Sequence, residues 1–112
     1  MKWYISGPIT NATREQRDLF YLAEEMVKNL GYDVLNPMRH ERPSEPLPND
    51  ERWIHYMKHS IRDIVDCDGI LLLPGWEQSK GACIEWEIAQ HLNMEMVTWK
   101  TFSKAHVILK NE

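Results

Sequence analysis

Hydrophobic positions along the chain change period several times, and each change marks an element. The first apolar segment, Trp3-Tyr4-Ile5, runs into Ser6-Gly7-Pro8, which reads as a strand ending in a tight loop. Leu19, Leu22, Ala23, Met26, Val27 and Leu30 then recur at helical spacing. Thr13 with Gln16 makes a capping box at the start of this helix, and Gly31 suits the position just past its end. Tyr32 to Leu35 is a second short strand, stopped by Asn36-Pro37 and followed by a loop of about a dozen residues carrying Pro43, Pro46 and Pro48. From roughly Asp50 to Val65, the spacing of Trp53, Ile54, Met57, Ile61, Ile64 and Val65 predicts a second helix.

Gly69-Ile70-Leu71-Leu72-Leu73 has no polar alternation, the mark of a strand covered on both faces in a parallel sheet. Pro74-Gly75 ends it, a loop with Trp76 and Ser79 follows, and a third helix is predicted from about Lys80 to Leu92. Met96 to Trp99 supplies a fourth strand, and Ala105 to Leu109 is left open as a fifth. The alternation predicts one α/β domain over residues 1–112. Its doubly wound, flavodoxin- or Rossmann-like parallel sheet has four to five strands and three main helices. Such folds bind ligands beyond the C-terminal strand ends at the switch point, here between Ser6-Gly7-Pro8 and Pro74-Gly75.

Composition narrows the partner. A net charge of -4 gives no basic footprint, so long nucleic acids and anionic membranes are not expected, while one small anion at a helix terminus is compatible with it. Cys67 and Cys83 lack CxxC spacing and nothing at the N-terminus resembles a signal peptide, so a reducing, cytoplasmic setting is expected. The longest unbroken apolar run, Leu19 to Ala23, is far short of the roughly 20 residues of a spanning helix.

Glu85 stands out on the third helix. Its neighbours three and four positions away are Gly81, Ala82, Ile88 and Ala89, so its carboxylate is predicted to face inward, whereas the mixed neighbours of Glu87 mark a solvated side. An inward carboxylate costs free energy unless it is hydrogen-bonded, neutralised or opened onto a cavity. The competing reading is a helix-edge glutamate that snorkels to water. Ser79 is placed as N-cap, with Lys80 and Gly81 opening the helix, and the free N–H groups there suit an anion such as a 5′-phosphate. Tyr4 and Trp76 lie nearest the inferred crevice and, with Trp53 and Tyr56, are candidates to sandwich a base, or else pack as core and lid. His55 and His59, four apart on a helix, have metal-ligand spacing, but the intervening residues lack the glutamate of a zincin, and no metal is expected. The cluster Arg39 to Arg42 reads as a solvated loop, with phosphate contact as the sharper alternative.

Gly81-Ala82-Cys83-Ile84-Glu85 with Ala89 resembles the G-x-x-x-E-x-x-x-A helix of the nucleoside 2-deoxyribosyltransferases and the related deoxynucleoside 5′-phosphate N-hydrolases. Tyr4-Ile5-Ser6-Gly7-Pro8 and Asp68 to Leu73 look like the same superfamily. Leu73-Pro74-Gly75-Trp76-Glu77 with Ser79-Lys80-Gly81 is similar to its phage and bacterial branch. The resemblance implies that Glu85 attacks the anomeric carbon of a sugar. It implies further that Ser79 holds a phosphate, that Tyr4, Ser6, Gly7, Pro8, Trp76, Lys80 and Gly81 lie at the substrate, and that no cofactor takes part. It also implies a homo-oligomer. Where the superfamily carries an aspartate that helps protonate the departing base, this chain has Ser60, a poor general acid, leaving His59, Asp63 or Asp68 as substitutes. The implied activity is N-glycosidase or deoxyribosyl-transfer chemistry on a nucleoside or its 5′-monophosphate. A non-catalytic nucleotide-binding protein and a hydrolase of an NAD-type dinucleotide are the alternatives.

Overall fold

A computed structural model describes residues 1–40 and 47–105 with their side chains, and the backbone of 106–110. Four parallel strands, β1 (Lys2–Ser6), β2 (Asp33–Leu35), β3 (Gly69–Leu72) and β4 (Glu95–Thr98), lie in the order β2-β1-β3-β4. This is the flavodoxin-like order, and the switch between β1 and β3 falls where the sequence pattern put it. Tyr4 pairs with Ile70 and Ser6 with Leu72, so the C-terminal ends of the two central strands are level.

Both faces of the sheet are covered. Helices α2 (Asn49–Val65) and α3 (Lys80–His91) pack one face, where Tyr4, Ile64, Ile70, Leu72 and Ala89 form a buried cluster. On the other face α1 (Arg14–Asn29) and α4 (Trp99–Lys110) lie over Ile5, Leu71 and Leu73, with Phe20, Ala23 and Val27 buried between. Period-2 alternation along β1 therefore divides its side chains, sending Tyr4 and Ser6 toward α2 and α3 and Ile5 toward α1.

Local punctuation behaves as its chemistry requires. The Thr13 hydroxyl accepts from the Gln16 N–H while the Gln16 side chain accepts from the Thr13 N–H, closing the capping box. Gly31, at φ +88°, turns the chain just after α1. Gly69 is required for space: a Cβ there would lie 2.5 Å from the Trp3 ring.

One open expectation is resolved. Ala105 to Leu109 is not a fifth strand but the second half of α4, so the described residues form four strands and four α-helices. The Thr98 hydroxyl accepts from the Thr101 N–H and starts a helix immediately after β4, which leaves no room for a return to the sheet. Within the charge cluster, Arg39 closes a 3₁₀ turn (Pro37–Arg39) and folds onto α1; Glu41, Arg42, Pro43 and Pro46 lie outside the described residues.

Candidate functional site

Beyond the ends of β1 and β3 lies a cavity of about 730 Å³, walled by the loop after β1, by one face of α2 and by the start of α3. Gly75, left-handed at φ +88°, turns the chain out of β3 beneath Pro8. A 3₁₀ turn (Trp76–Gln78) leads to Ser79, whose hydroxyl accepts from the Ala82 N–H at 3.3 Å and caps α3. Gly81 lets α2 approach α3: a Cβ at that position would stand 3.1 Å from the Met57 sulfur and 3.7 Å from the Trp53 indole nitrogen.

Glu85 lies on the floor, one and a half turns into α3, with 3% of its surface exposed. Both carboxylate oxygens are held from β1: the Tyr4 hydroxyl donates to Oε2 at 2.8 Å and the Ser6 hydroxyl to Oε1 at 2.6 Å. The Ser60 hydroxyl on α2 also faces this group. Among the described residues no cation pairs with it. Burial therefore dominates and pushes the Glu85 carboxyl up to about 7, against the hydrogen bonds of Ser6, Tyr4 and Ser60 that favour its charged form. The Tyr4 phenol, buried beside a carboxylate, is held well above its ordinary range. Such a carboxylate is ionised in a large fraction at neutral pH and is poorly solvated, which suits a nucleophile or a proton acceptor.

A family model described as a domain of unknown function (DUF4406) matches residues 1–98. The chain belongs to this family. No curated protein sequence matches it. Among solved structures, the 2-deoxyribosyltransferase of the psychrotolerant bacterium Bacillus psychrosaccharolyticus superposes with a TM-score of 0.71 at 19% identity, over 88% of this chain and 71% of that one. That protein is described as a biocatalyst for the synthesis of antiviral and antitumoral nucleosides. At this identity the likeness is one of fold.

In this DUF4406 domain the expected site residues divide into three groups. Gly7, Pro8, Ser79, Lys80, Gly81 and Glu85 line the cavity together. Tyr4 and Ser6 stand behind Glu85 as its hydrogen-bond donors, so Tyr4, fully buried, is not a face on which a base could stack. Trp76 and Asp68 lie elsewhere. The Trp76 ring packs on the α2–α3 core, 5.8 Å from Trp86, because the 3₁₀ turn points it away from the opening. Asp68 precedes β3 at the N-terminal edge of the sheet, opposite the cavity, where its carboxylate accepts from the Lys2 N–H at 2.9 Å. Asp63 is near enough to act on Glu85 electrostatically, but its own carboxylate is taken by His40 at 2.6 Å.

The α2 wall includes Trp53 and Tyr56, two of the aromatic residues expected near a base, together with residues not expected at the site. Trp53, Ile54, Tyr56 and Met57 form the α2 wall, and Asp50, Gln16, Gln78 and Asn11 sit around it. Lys80 extends from α3 to place its ammonium 4.3 Å above the centre of the Trp53 ring, spanning the two helices. Among the described residues no group of histidines, cysteines and carboxylates forms a metal-binding cluster, and no helix is long and apolar enough to cross a membrane.

Proposed function

We propose that this protein cleaves the bond between sugar and base in a nucleoside or nucleoside 5′-monophosphate, with Glu85 as nucleophile. The observation that carries the reading is the Glu85 carboxylate, buried with no cation beside it among the described residues, held at both oxygens and opening onto a ligand-sized cavity. The fold shared with a 2-deoxyribosyltransferase and the match of Gly81, Glu85 and Ala89 to that superfamily's helix support it.

In the first step a Glu85 oxygen attacks the anomeric carbon as the C–N bond breaks. The electron pair of the C–N bond leaves with the base, which takes a proton from water in the open cavity. Tyr4 and Ser6 orient the attacking carboxylate. The resulting sugar ester is opened by water in hydrolysis or by a second base in transfer, and Glu85 is released. The start of α3, with Ser79 and the Lys80 ammonium, suits a 5′-phosphate at the cavity mouth, and the Trp53 wall suits the base. A small molecule is thus the expected partner, and a second copy of the chain remains a proposal from resemblance.

Chromatography of a mixed panel of deoxynucleosides, ribonucleosides and their monophosphates tests the reading. Wild type releases free base and Glu85→Ala does not; absence of release from every member refutes it. Ser60, at the position where the superfamily carries an acid, favours a second reading of the same pocket as a non-catalytic nucleotide-binding site. In that case the nucleotide binds and is recovered intact. Release of nicotinamide from NAD would instead mark dinucleotide hydrolysis.

A further inference from the structure

A departing base needs a proton, and the substitutes for the acid that Ser60 replaces do not reach the cavity. Asp63 is engaged by His40 at 2.6 Å, His59 packs between the rings of His40 and His55, and Asp68 lies at the far edge of the sheet. None of the three lines the cavity. Ser60 itself does, at 2% exposure, but it is an alcohol.

Among the described residues, the ionisable side chains that line the cavity besides Glu85 are Asp50, Tyr56 and Lys80. Asp50 stands in the first turn of α2, about 15 Å along the helix axis from Ser60. Lys80 belongs to α3, and its ammonium is laid over the Trp53 ring. Tyr56 is one helical turn from Ser60 on the same face of α2, about 6 Å along the axis. Helical side chains lean toward the N-terminus, which carries the Tyr56 phenol over the turn that holds Trp53. The half-buried Tyr56 ring meets His55 edge-on, centres 5.9 Å apart, and no described residue takes up its hydroxyl in a hydrogen bond.

We propose that Tyr56 is a catalytic residue, the phenol that protonates the departing base in the cavity whose floor is Glu85. The proposal rests on the reading of Glu85 as nucleophile. A phenol gives up a proton far more readily than an alcohol, and Tyr56 shares its wall with Trp53, where the base is placed. The acid function is thereby displaced one turn along α2, from the position of Ser60 to that of Tyr56.

As the C–N bond breaks, its electron pair leaves with the base. The Tyr56 O–H bond breaks in the same step, and its proton bonds to an acceptor nitrogen or oxygen of that base. The phenolate recovers a proton from water in the open cavity, so Tyr56 hands on the proton that water supplies. In hydrolysis the hydroxide left behind opens the sugar ester. In transfer the incoming base gives up its own N–H proton and neutralises it.

The test compares two leaving groups. The base of a natural deoxynucleoside departs with a proton, whereas 4-nitrophenyl 2-deoxyriboside needs none, because nitrophenolate leaves as an anion. Steady-state kcat is measured on both for wild type and Tyr56→Phe, with circular dichroism to confirm the fold. Phenylalanine keeps the ring against His55 and removes only the hydroxyl. The expected result is a fall in kcat for the deoxynucleoside of about 10²-fold or more, with kcat for the nitrophenyl compound within about threefold of wild type. Unchanged base release by Tyr56→Phe overturns the proposal, and so does an equal loss on both substrates, which marks a packing role. Wild type that cleaves the nitrophenyl compound but no nucleoside also overturns it, while leaving Glu85 as nucleophile. Cleavage of neither refutes the proposed function itself, and this step with it.

Discussion

Glu24 and Glu85 are both buried carboxylates on helices, yet their surroundings are opposite. Glu24, 6% exposed on α1, is gripped by Arg39 through Nε at 2.9 Å and Nη2 at 2.8 Å, with Lys28 at 3.6 Å and the Asn36 amide at 3.5 Å. The Arg39 guanidinium holds its carboxyl below the usual range. Among the described residues Glu85 meets hydroxyl donors and no cation, with a cavity in front of it, and burial raises it to about 7. Burial of a carboxylate is thus no sign of chemistry in itself. The combination of burial, missing countercharge and an open pocket is.

The largest expected difference between the two sites is catalytic. On the proposed reading, Glu85→Gln lowers kcat for base release by at least about 10³-fold, while Glu24→Gln leaves kcat within about twofold. Steady-state assays on the two variants side by side measure it.

Stability should reverse the ranking. Glu24→Ala removes a charge-assisted fork to an Arg39 that is 60% exposed and solvent-screened, and is expected to cost about 1 kcal/mol in urea unfolding at pH 7. Its pH dependence follows from the lowered carboxyl: between the folded and unfolded midpoints the native state holds fewer protons, so this contribution is present above the ordinary carboxylate range. It is lost as pH falls through the folded midpoint. Glu85 has the opposite sign. With its carboxyl raised from 4.5 to about 7, the native state holds more protons over that interval, and stability declines as pH rises through it. Glu85→Gln should therefore be more stable than wild type at pH 8, by on the order of 2–3 kcal/mol, with the gain fading below about pH 4.5. Thermal unfolding at the two pH values checks the crossover.

A smaller effect separates the two ends of the cavity. Lys80→Gln is expected to raise KM for a 5′-monophosphate by about tenfold, the loss of one charge-assisted contact, and to leave KM for the unphosphorylated nucleoside nearly unchanged. Equal changes for both substrates would remove Lys80 from phosphate recognition.

Much of this arrangement was legible in the sequence because it rests on local periodicity. The capping box of α1, the Ser79 cap and the inward face of Glu85 all follow from residues within a few positions of one another, and the switch between β1 and β3 follows from the alternation of strands and helices along the chain. What was not legible depends on distance or direction. Ala105 to Leu109 is too short and too β-branched to distinguish strand from helix without the Thr98 cap that precedes it. The orientation of Trp76 is set by the 3₁₀ turn, whereas Asp68, directly before β3, belongs at the far edge of the sheet by its position alone. The His40–Asp63 contact joins residues 23 apart that share no periodic element.

The central claim is a covalent bond between sugar and Glu85. Its most direct test is peptide mapping by mass spectrometry after acid quench of wild type incubated with a 2-fluoro-2-deoxyribosyl nucleoside, whose ester should be slow to turn over. The account predicts the sugar mass on the peptide containing Glu85, absent in Glu85→Gln. Base release with the sugar on another residue, or no release and no adduct with any nucleoside or monophosphate, would contradict it.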